Sequence, residues 1–156
     1  MSLYSVVVPV YNSEHTLTEL YTRLEKVFRE TVQEPFELIL VDDGSKDRSY
    51  QIMEKLRQKD PRVKIIQMAR NFGQHPALLC GFSHAEGDFI ITMDDDLQHP
   101  PEEIPKLINT IRERDDVDVI IASYEGRKHG PIPKFLSGPP PKCLEKTRIC
   151  KSPVFV

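Results

Sequence analysis

Short apolar runs alternate with segments in which apolar residues recur every three or four positions, as far as residue 122. The runs are rich in Val and Ile, which is typical of strands buried on both faces of a sheet. They predict five strands at residues 3–10, 36–41, 63–68, 88–93 and 117–122. The three-and-four spacing predicts an amphipathic helix after each of the first four strands, with Ser13 as N-cap of the first. Alternation of this kind predicts an α/β domain with a mainly parallel sheet and helices on both faces.

The third predicted helix, at about residues 75–85, carries small residues four positions apart at Ala77, Gly81 and Ala85. A stripe of small residues lets a helix lie close to a sheet, so we expect a packing role for it rather than a ligand role. Gly73, just before this helix, is expected to serve a turn with positive φ.

Periodicity ends after Ser123, where Gly and Pro recur and culminate in the triplet at 139–141. We therefore predict one domain over residues 1–125 and a loop or disordered tail over 126–156. We expect either that the domain is truncated or that its natural C-terminal half has been replaced.

Composition narrows the class of protein. A length of 156 residues suits one domain, and 21 basic against 24 acidic residues give a net charge of −3, which argues against nucleic acid as a partner.

The three cysteines form no CxxC pair, which favours a reducing compartment. Because no signal peptide or spanning segment is evident, we expect a cytoplasmic protein whose membrane contact, if any, is peripheral. The oligomeric state stays open, a homo-oligomer included.

Polar residues cluster where the predicted strands end, in segments 9–12, 42–45, 70–75 and 94–99. Ligands of doubly wound sheets bind outside the carboxyl ends of the strands, so these segments are the candidates for a site. Two of them are acidic, which favours Mg²⁺ or Mn²⁺ held against ligand phosphates. On an extended segment Asp94 and Asp96 project to one side and Asp95 to the other; Gln98 on the first side adds a neutral oxygen.

An isolated Asp-x-Asp is also common as a helix cap or a solvated loop, and that alternative stays open. Phosphate-binding loops of the GxxxxGK[ST] type and the GxGxxG fingerprint are absent from the sequence. A sugar nucleotidyltransferase would need a glycine-rich basic loop after the first strand, which residues 9–13 do not supply.

Together the four segments resemble glycosyltransferase family 2, whose members have the Rossmann-like GT-A fold and use nucleotide-diphosphate sugars. The general marks are the stretches at residues 6–12 and 41–45 and the Asp94-x-Asp96 segment. The stretches at 70–82 and 87–88, and MDDDLQHPPEE at 93–103, resemble more narrowly the polyprenyl-phosphate (dolichyl- or undecaprenyl-phosphate) glycosyltransferases.

The resemblance implies a set of site residues. Asp94, Asp96 and Gln98 would surround the metal, and the first two would act in catalysis. The donor nucleotide and diphosphate would contact Pro9, Tyr11, Asn12, Asp42, Asp43, Arg70, Asp94 and Asp95. For Arg70 two roles remain, since its guanidinium would either face the diphosphate or pair with carboxylates to hold its loop.

The resemblance implies a metal-dependent, inverting hexosyltransferase of cell-wall biogenesis. It would move sugar from a UDP- or GDP-sugar to a polyprenyl phosphate at the cytoplasmic face of a membrane. Two alternatives stay open: a nucleotide-sugar-binding module without transfer activity, and a family 2 transferase acting on a polysaccharide or other acceptor. The sequence does not identify the transferred sugar, the nucleobase of the donor or a residue that acts as general base.

Overall fold

The computed structural model describes residues 1–114 and 117–120. Four strands alternate with helices along this part of the chain. The strands are β1 (Tyr4–Val10), β2 (Phe36–Asp42), β3 (Val63–Gln67) and β4 (Phe89–Thr92). The helices are α1 (Leu17–Val27), which continues into a π-helical turn (Phe28–Val32), α2 (Ser49–Lys59), α3 (Gln74–Phe82) and α4 (Ile104–Arg112), which follows a 3₁₀ turn (Pro101–Glu103).

The described strands form one parallel sheet in the order β3-β2-β1-β4. In the central strand Val7 pairs with Ile39 on one side and with Thr92 on the other. Every residue of β1 and β2 is buried, as the apolar runs at Val6–Val8 and at residues 38–41 predict for strands covered on both faces. The predicted α/β architecture is therefore confirmed.

The helices lie on both faces of the sheet. Buried side chains of α1, α2 and α4 pack with Val6, Val8 and Leu40 on one face, whereas those of α3 pack with Val7 and Val41 on the other. The handedness of the crossovers explains this arrangement. The connections from β1 to β2 and from β2 to β3 run in one direction across the sheet, whereas the connection through α3 runs back from β3 past β1 to β4. Because crossovers between parallel strands are right-handed, α3 must lie on the opposite face.

Close packing explains the small-residue stripe of α3. Ala77 is fully buried, and a Cβ at Gly81 would overlap Val7 Cγ1 and lie 3.2 Å from Val41 Cγ2. The expected packing role is thus confirmed for Ala77 and Gly81, because only a residue without a side chain lets α3 approach β1 this closely. Ala85 lies beyond the end of α3 at Phe82, so the helix predicted to about residue 85 is shorter than expected.

A buried polar network joins the strands at their amino ends, which we call the entry edge. Glu37 is buried there and accepts hydrogen bonds from Ser5 Oγ at 2.5 Å and from the Glu86 N–H at 2.7 Å. Lys64 Nζ lies 2.7 Å from Glu37 Oε2 and 2.8 Å from Glu86 Oε1. The Gly87 N–H donates to Ser5 Oγ, which ties the loop before β4 to β1.

The structure corrects the start of the first helix. It begins at Leu17 with Thr16 as N-cap, and the side chain of Ser13 caps nothing: its hydroxyl donates to Asp95, and its Oγ lies 3.2 Å from the Tyr11 carbonyl oxygen. A long-range partner has taken the side chain that local pattern assigns to the helix.

The fifth strand is not observed where the structure describes the chain. Residues 117–120 form no strand, and residues 121–122 lie outside the described ranges. The predicted boundary at 125 and the tail at 126–156 lie outside them as well. Within residues 1–114 and 117–120, no helix is long and apolar enough to cross a bilayer.

Candidate functional site

A cavity of about 360 Å³ opens at the carboxyl ends of the strands, which we call the exit edge. It lies where the strand order reverses between β1 and β4, the place at which α/β sheets of this kind bind ligands. Its walls come from the loops after all four strands. The lining residues are Pro9, Val10, Tyr11, Asp43, Asn71, Gly73, Gln74, Asp94, Asp95 and Asp96.

Asp43 holds the loop after β3 in place. Its carboxylate is buried and accepts the backbone N–H groups of Phe72 at 2.7 Å and Gly73 at 2.8 Å. Gly73 has a φ of 97°, so the turn with positive φ expected there is confirmed. Both Asp43 oxygens are engaged by backbone donors, which fixes the wall of the cavity next to α3.

Asp94 and Asp96 both line the cavity but have different surroundings. Asp94 is half-buried, and its Oδ1 accepts a hydrogen bond from Gln74 Nε2 at 2.6 Å. Asp96 is exposed, and its Oδ1 accepts the Gln98 N–H at 2.9 Å. The Gln74 amide thus sets the orientation of one of the two carboxylates.

The reason given from sequence for pairing Asp94 with Asp96 is wrong. The segment is not extended: residues 95 and 96 form a turn, and Leu97 has a left-handed φ of 61°. Alternation along a strand therefore does not apply. The turn nevertheless leaves both carboxylates at the cavity, and a shared metal stays a prediction.

Asp95 points toward the loop after β1. Its Oδ2 accepts hydrogen bonds from the Tyr11 N–H at 3.1 Å and from the Ser13 hydroxyl. Burial raises the pKa of Asp95 above its ordinary 3.8, and the nearby Asp96 charge adds to this, although the two donors oppose it.

Hydrogen bonds join all four exit loops into a closed chain. Asn12, with a left-handed φ of 55°, donates its N–H to Ser45 Oγ at 3.0 Å and accepts the Lys46 N–H at 2.8 Å. This link joins the β1 and β2 loops. We call it, together with the Asp43, Gln74–Asp94 and Asp95 links, the exit ring.

Six of the residues assigned to the site line the cavity, namely Pro9, Tyr11, Asp43, Asp94, Asp95 and Asp96. Asn12, Asp42, Arg70 and Gln98 do not. Asp42 is fully buried; its Oδ1 accepts the Ser45 N–H at 3.2 Å, and its Oδ2 has no hydrogen-bond partner among the described residues. The roles assigned to these residues stay predictions.

Arg70 lies beside the cavity rather than in its wall. Its guanidinium is 4.8 Å from the centroid of the exposed Phe72 ring. None of the ion pairs formed within residues 1–114 and 117–120 involves Arg70, so the proposed pairing with carboxylates is not seen there.

Sequence reasoning assigned no ligand-facing role to Val10, Asn71, Gly73 or Gln74, which also line the cavity. Asn71 and Gln74 belong to the polar segment after β3, which was recognised as a strand exit. Gln74 is also the first residue of α3, directly after a glycine turn, and that position is the signal that points to it.

The cavity is acidic, and no Lys, Arg or His is among its lining residues in the described part of the chain. Among the ion pairs of the described part of the chain, none includes Asp43, Asp94, Asp95 or Asp96. That part also holds no group of three His, Cys, Asp or Glu arranged for a metal ion. Mg²⁺ sites commonly consist of one or two carboxylates completed by substrate phosphates and water, and Asp94 with Asp96 fits that donor set.

A family profile and the related proteins found by sequence comparison agree that this chain resembles glycosyltransferases. The profile of the family described as "Glycosyl transferase family 2" matches residues 5–151. The undecaprenyl-phosphate 4-deoxy-4-formamido-L-arabinose transferase of Proteus mirabilis is 50% identical over 114 residues, which cover 72% of this chain and 35% of that protein. The Bacillus subtilis protein named uncharacterized glycosyltransferase YkcC is 47% identical over 125 residues, 80% of this chain and 38% of that protein. The chain thus spans about a third of the length of these relatives.

Solved structures agree. S. aureus TarS 1–349 in complex with UDP-GlcNAc is 31% identical with a TM-score of 0.61, over 84% of this chain and 37% of that one. A Pyrobaculum calidifontis mannosyltransferase in complex with GDP-Man and Mn²⁺ is 18% identical with a TM-score of 0.55, over 69% and 31%, and supports the fold alone. The GT-A fold and the resemblance to polyprenyl-phosphate transferases are confirmed. The chain belongs to glycosyl transferase family 2.

Proposed function

We propose that this chain is the donor-binding part of a transferase that moves a sugar from a nucleotide-diphosphate sugar to a polyprenyl phosphate. The observation that carries the proposal is the acidic cavity at the exit edge, whose carboxylates have no cationic partner in the described residues. Residues 1–125 form the donor-binding domain in this proposal. The 46–50% identity to transferases named for undecaprenyl phosphate supports the choice of acceptor.

Asp94 and Asp96 would hold Mg²⁺ or Mn²⁺, with Gln98 supplying a further oxygen. Such an ion, when bound, neutralises negative charge on a diphosphate. The Gln74 amide keeps one oxygen of Asp94 occupied, so the carboxylate presents its other oxygen in a fixed direction. This prior orientation lowers the cost of assembling the site.

Pro9 and Tyr11 line the side of the cavity where we place the nucleotide. The exposed aromatic ring of Tyr11 offers a surface for the base. Asp43 contributes through its hold on the loop at Asn71 and Gly73, which bring polar backbone and amide groups to the same wall. For Arg70, which joins none of the ion pairs seen among the described residues, we propose a role facing the diphosphate.

The reaction in this proposal is a direct displacement. An anionic phosphate oxygen of the lipid carrier attacks the anomeric carbon of the sugar, and the bond from that carbon to the diphosphate oxygen breaks with inversion. The nucleoside diphosphate leaves with the electron pair. Because the nucleophile is already ionised near neutral pH, the protein mainly has to position the reactants and stabilise the leaving group. The lipid substrate places the reaction at a membrane surface, which we assign to the cytoplasmic face.

Donor binding is tested by thermal unfolding of the chain with UDP- and GDP-sugars, with and without Mn²⁺. A ligand that binds only the folded state raises Tm by mass action. We expect Mn²⁺ to enlarge the shift given by one nucleotide class, and Asp96→Ala to abolish the Mn²⁺-dependent part. Asp118→Ala, which neutralises an exposed aspartate outside the cavity lining, is the control and should keep it. An unchanged shift in Asp96→Ala contradicts the metal assignment.

A transfer assay separates the enzyme from a binding module. Nucleotide sugar, Mn²⁺ and a short polyprenyl phosphate are incubated with the chain, and the glycolipid product is sought by mass spectrometry. A product of inverted anomeric configuration supports the transferase. Metal-dependent donor binding without product favours the alternative of a module that binds the donor and lacks the acceptor half.

A further inference from the structure

The middle carboxylate of the acidic segment has a different task from its two neighbours. Whereas Asp94 meets the Gln74 side chain and Asp96 meets its own turn, Asp95 reaches the loop after β1. One of its oxygens accepts both the Tyr11 N–H, at 3.1 Å, and the Ser13 hydroxyl. These partners lie more than eighty positions earlier in the sequence, so the contact joins two distant loops.

The segment that Asp95 holds contains part of the cavity wall. Tyr11 lines the cavity and is 45% exposed as a residue, and it is followed by Asn12 in a left-handed conformation. On its other side this loop is tied to Ser45 and Lys46 through Asn12. Without Asp95 the loop would keep its attachment to the β2 loop but lose its attachment to the acidic segment.

A similar link between β1 and the β4 region exists at the entry edge. There Asp88 Oδ2 accepts the Leu3 N–H at 2.9 Å, just before each strand begins. The two aspartates make the same kind of bond to a backbone N–H, one at each edge of the sheet. Of these two links only the one made by Asp95 borders the cavity. Removal of Asp88 therefore serves as a control for removal of Asp95.

We propose that Asp95 is a positioning residue for the nucleotide donor: it fixes the Tyr11–Ser13 loop against the acidic segment so that the two walls stand at the spacing the donor requires. The proposal rests on the proposed function, because the ligand is the nucleotide invoked there. It assigns Asp95 to neither the metal nor the diphosphate. Its neutral isostere should therefore serve almost as well, since an asparagine oxygen in the place of Oδ2 accepts both the Tyr11 N–H and the Ser13 hydroxyl.

The test measures dissociation constants of UDP and GDP in the presence of Mn²⁺ by calorimetry, for the full chain and its variants. We expect Asp95→Ala to weaken binding about tenfold, the effect of losing a hydrogen bond to a charged group. Asp95→Asn should restore affinity to within about threefold of the wild type on the same scale. The Mn²⁺ concentration giving half of the maximal nucleotide binding should stay unchanged in both variants, because Asp95 does not touch the ion.

Asp88→Ala is the matched control and should leave nucleotide affinity unchanged, even where it lowers Tm as much as Asp95→Ala does. A purely structural role would be indicated if both variants lost affinity in proportion to stability, and that result overturns the proposal. Failure of Asp95→Asn to rescue, together with a shifted Mn²⁺ dependence, would make Asp95 a metal ligand and also overturns it. If the wild type binds neither nucleotide, the proposed function fails too; if the wild type binds and Asp95→Ala binds equally, only the Asp95 proposal fails.

Discussion

The two edges of the sheet use carboxylates in opposite ways. At the entry edge Glu37 is surrounded by donors, including the Lys64 ammonium, and its charge is matched within the protein. At the exit edge Asp94, Asp95 and Asp96 follow one another, and none joins an ion pair within the described residues. Uncompensated charge of one sign raises the energy of the folded chain, and a bound cation or cationic group would relieve it.

The pKa values of Glu37 at the entry edge and Asp95 at the exit edge are shifted in opposite directions. Burial alone would raise the pKa of Glu37, but hydrogen bonds from Lys64, Ser5 and the Glu86 N–H hold it below its ordinary 4.5. For Asp95 burial prevails and the pKa is raised. At the entry edge the protein's own donors therefore stabilise the charged form of Glu37, whereas at the exit edge burial disfavours the charged form of Asp95.

The largest effect is expected from Glu37→Ala. Removing the carboxylate leaves Ser5 Oγ and the Glu86 N–H without their acceptor in a buried site, and should lower the free energy of unfolding by about 3 kcal/mol. Urea denaturation at pH 7 measures it. Glu86→Ala removes the exposed partner of the same lysine and should cost no more than about 0.5 kcal/mol. Equal costs for the two variants would contradict a structural role specific to Glu37.

A smaller effect is expected from Asp43→Ala, the exit-edge carboxylate that resembles Glu37 in its use. The loss of two backbone donors to a charged acceptor should cost about 1.5 kcal/mol and release the loop at Phe72 and Gly73. Hydrogen exchange should become faster at those two amides than elsewhere in the sheet. Unchanged exchange there would show that the loop is held by other contacts.

The pH dependence of stability sharpens the contrast further. The folded-state pKa of Glu37 is depressed, so its contribution is present above its unfolded pKa and is lost as pH falls through the folded value. The stability advantage of the wild type over Glu37→Gln should therefore shrink as pH is lowered below 4.5, in urea titrations at several pH values. An advantage that stays constant to lower pH would show that the charge of Glu37 contributes nothing.

The smallest effect on stability is expected from neutralising Asp94 and Asp96, the residues for which we expect the largest effect on metal-dependent nucleotide binding. Neutralising the exit edge with Asp94→Asn and Asp96→Asn should change the free energy of unfolding by no more than about 0.5 kcal/mol, as for surface substitutions in general. The Mn²⁺-dependent rise in Tm with a nucleotide should disappear. A loss of stability as large as that of Glu37→Ala would mean that these residues hold the fold instead of a ligand.

The fold could be predicted from the sequence because strands buried on both faces leave a local mark. Val6–Val8 and residues 38–41 are apolar without interruption, and Leu17, Leu20 and Leu24 repeat at helical spacing. Each of these patterns depends only on which faces of an element are buried.

The details of the site could be predicted only in part. That acidic segments meet at one edge follows from parallel strands, and the cavity lies there. The partners of individual side chains do not follow, because the pair Ser13 and Asp95 and the pair Gln74 and Asp94 join residues that are 82 and 20 positions apart. The chain also turns after Asp94, and Leu97 has a left-handed φ, whereas the prediction took this segment as extended. Leucine rarely adopts this conformation, and the sequence contains no glycine or asparagine there that would have indicated the turn.

Gly81 influences the cavity from the far end of its helix. It lies seven residues after Gln74, about 10 Å along the axis at the rise of an α-helix. A methyl group introduced there would have to push the helix off Val7, and a rigid rod displaced at one end tilts at the other. The Gln74–Asp94 bond spans only 2.6 Å and tolerates little displacement. The accuracy with which one carboxylate is aimed thus depends on a missing side chain two helical turns away.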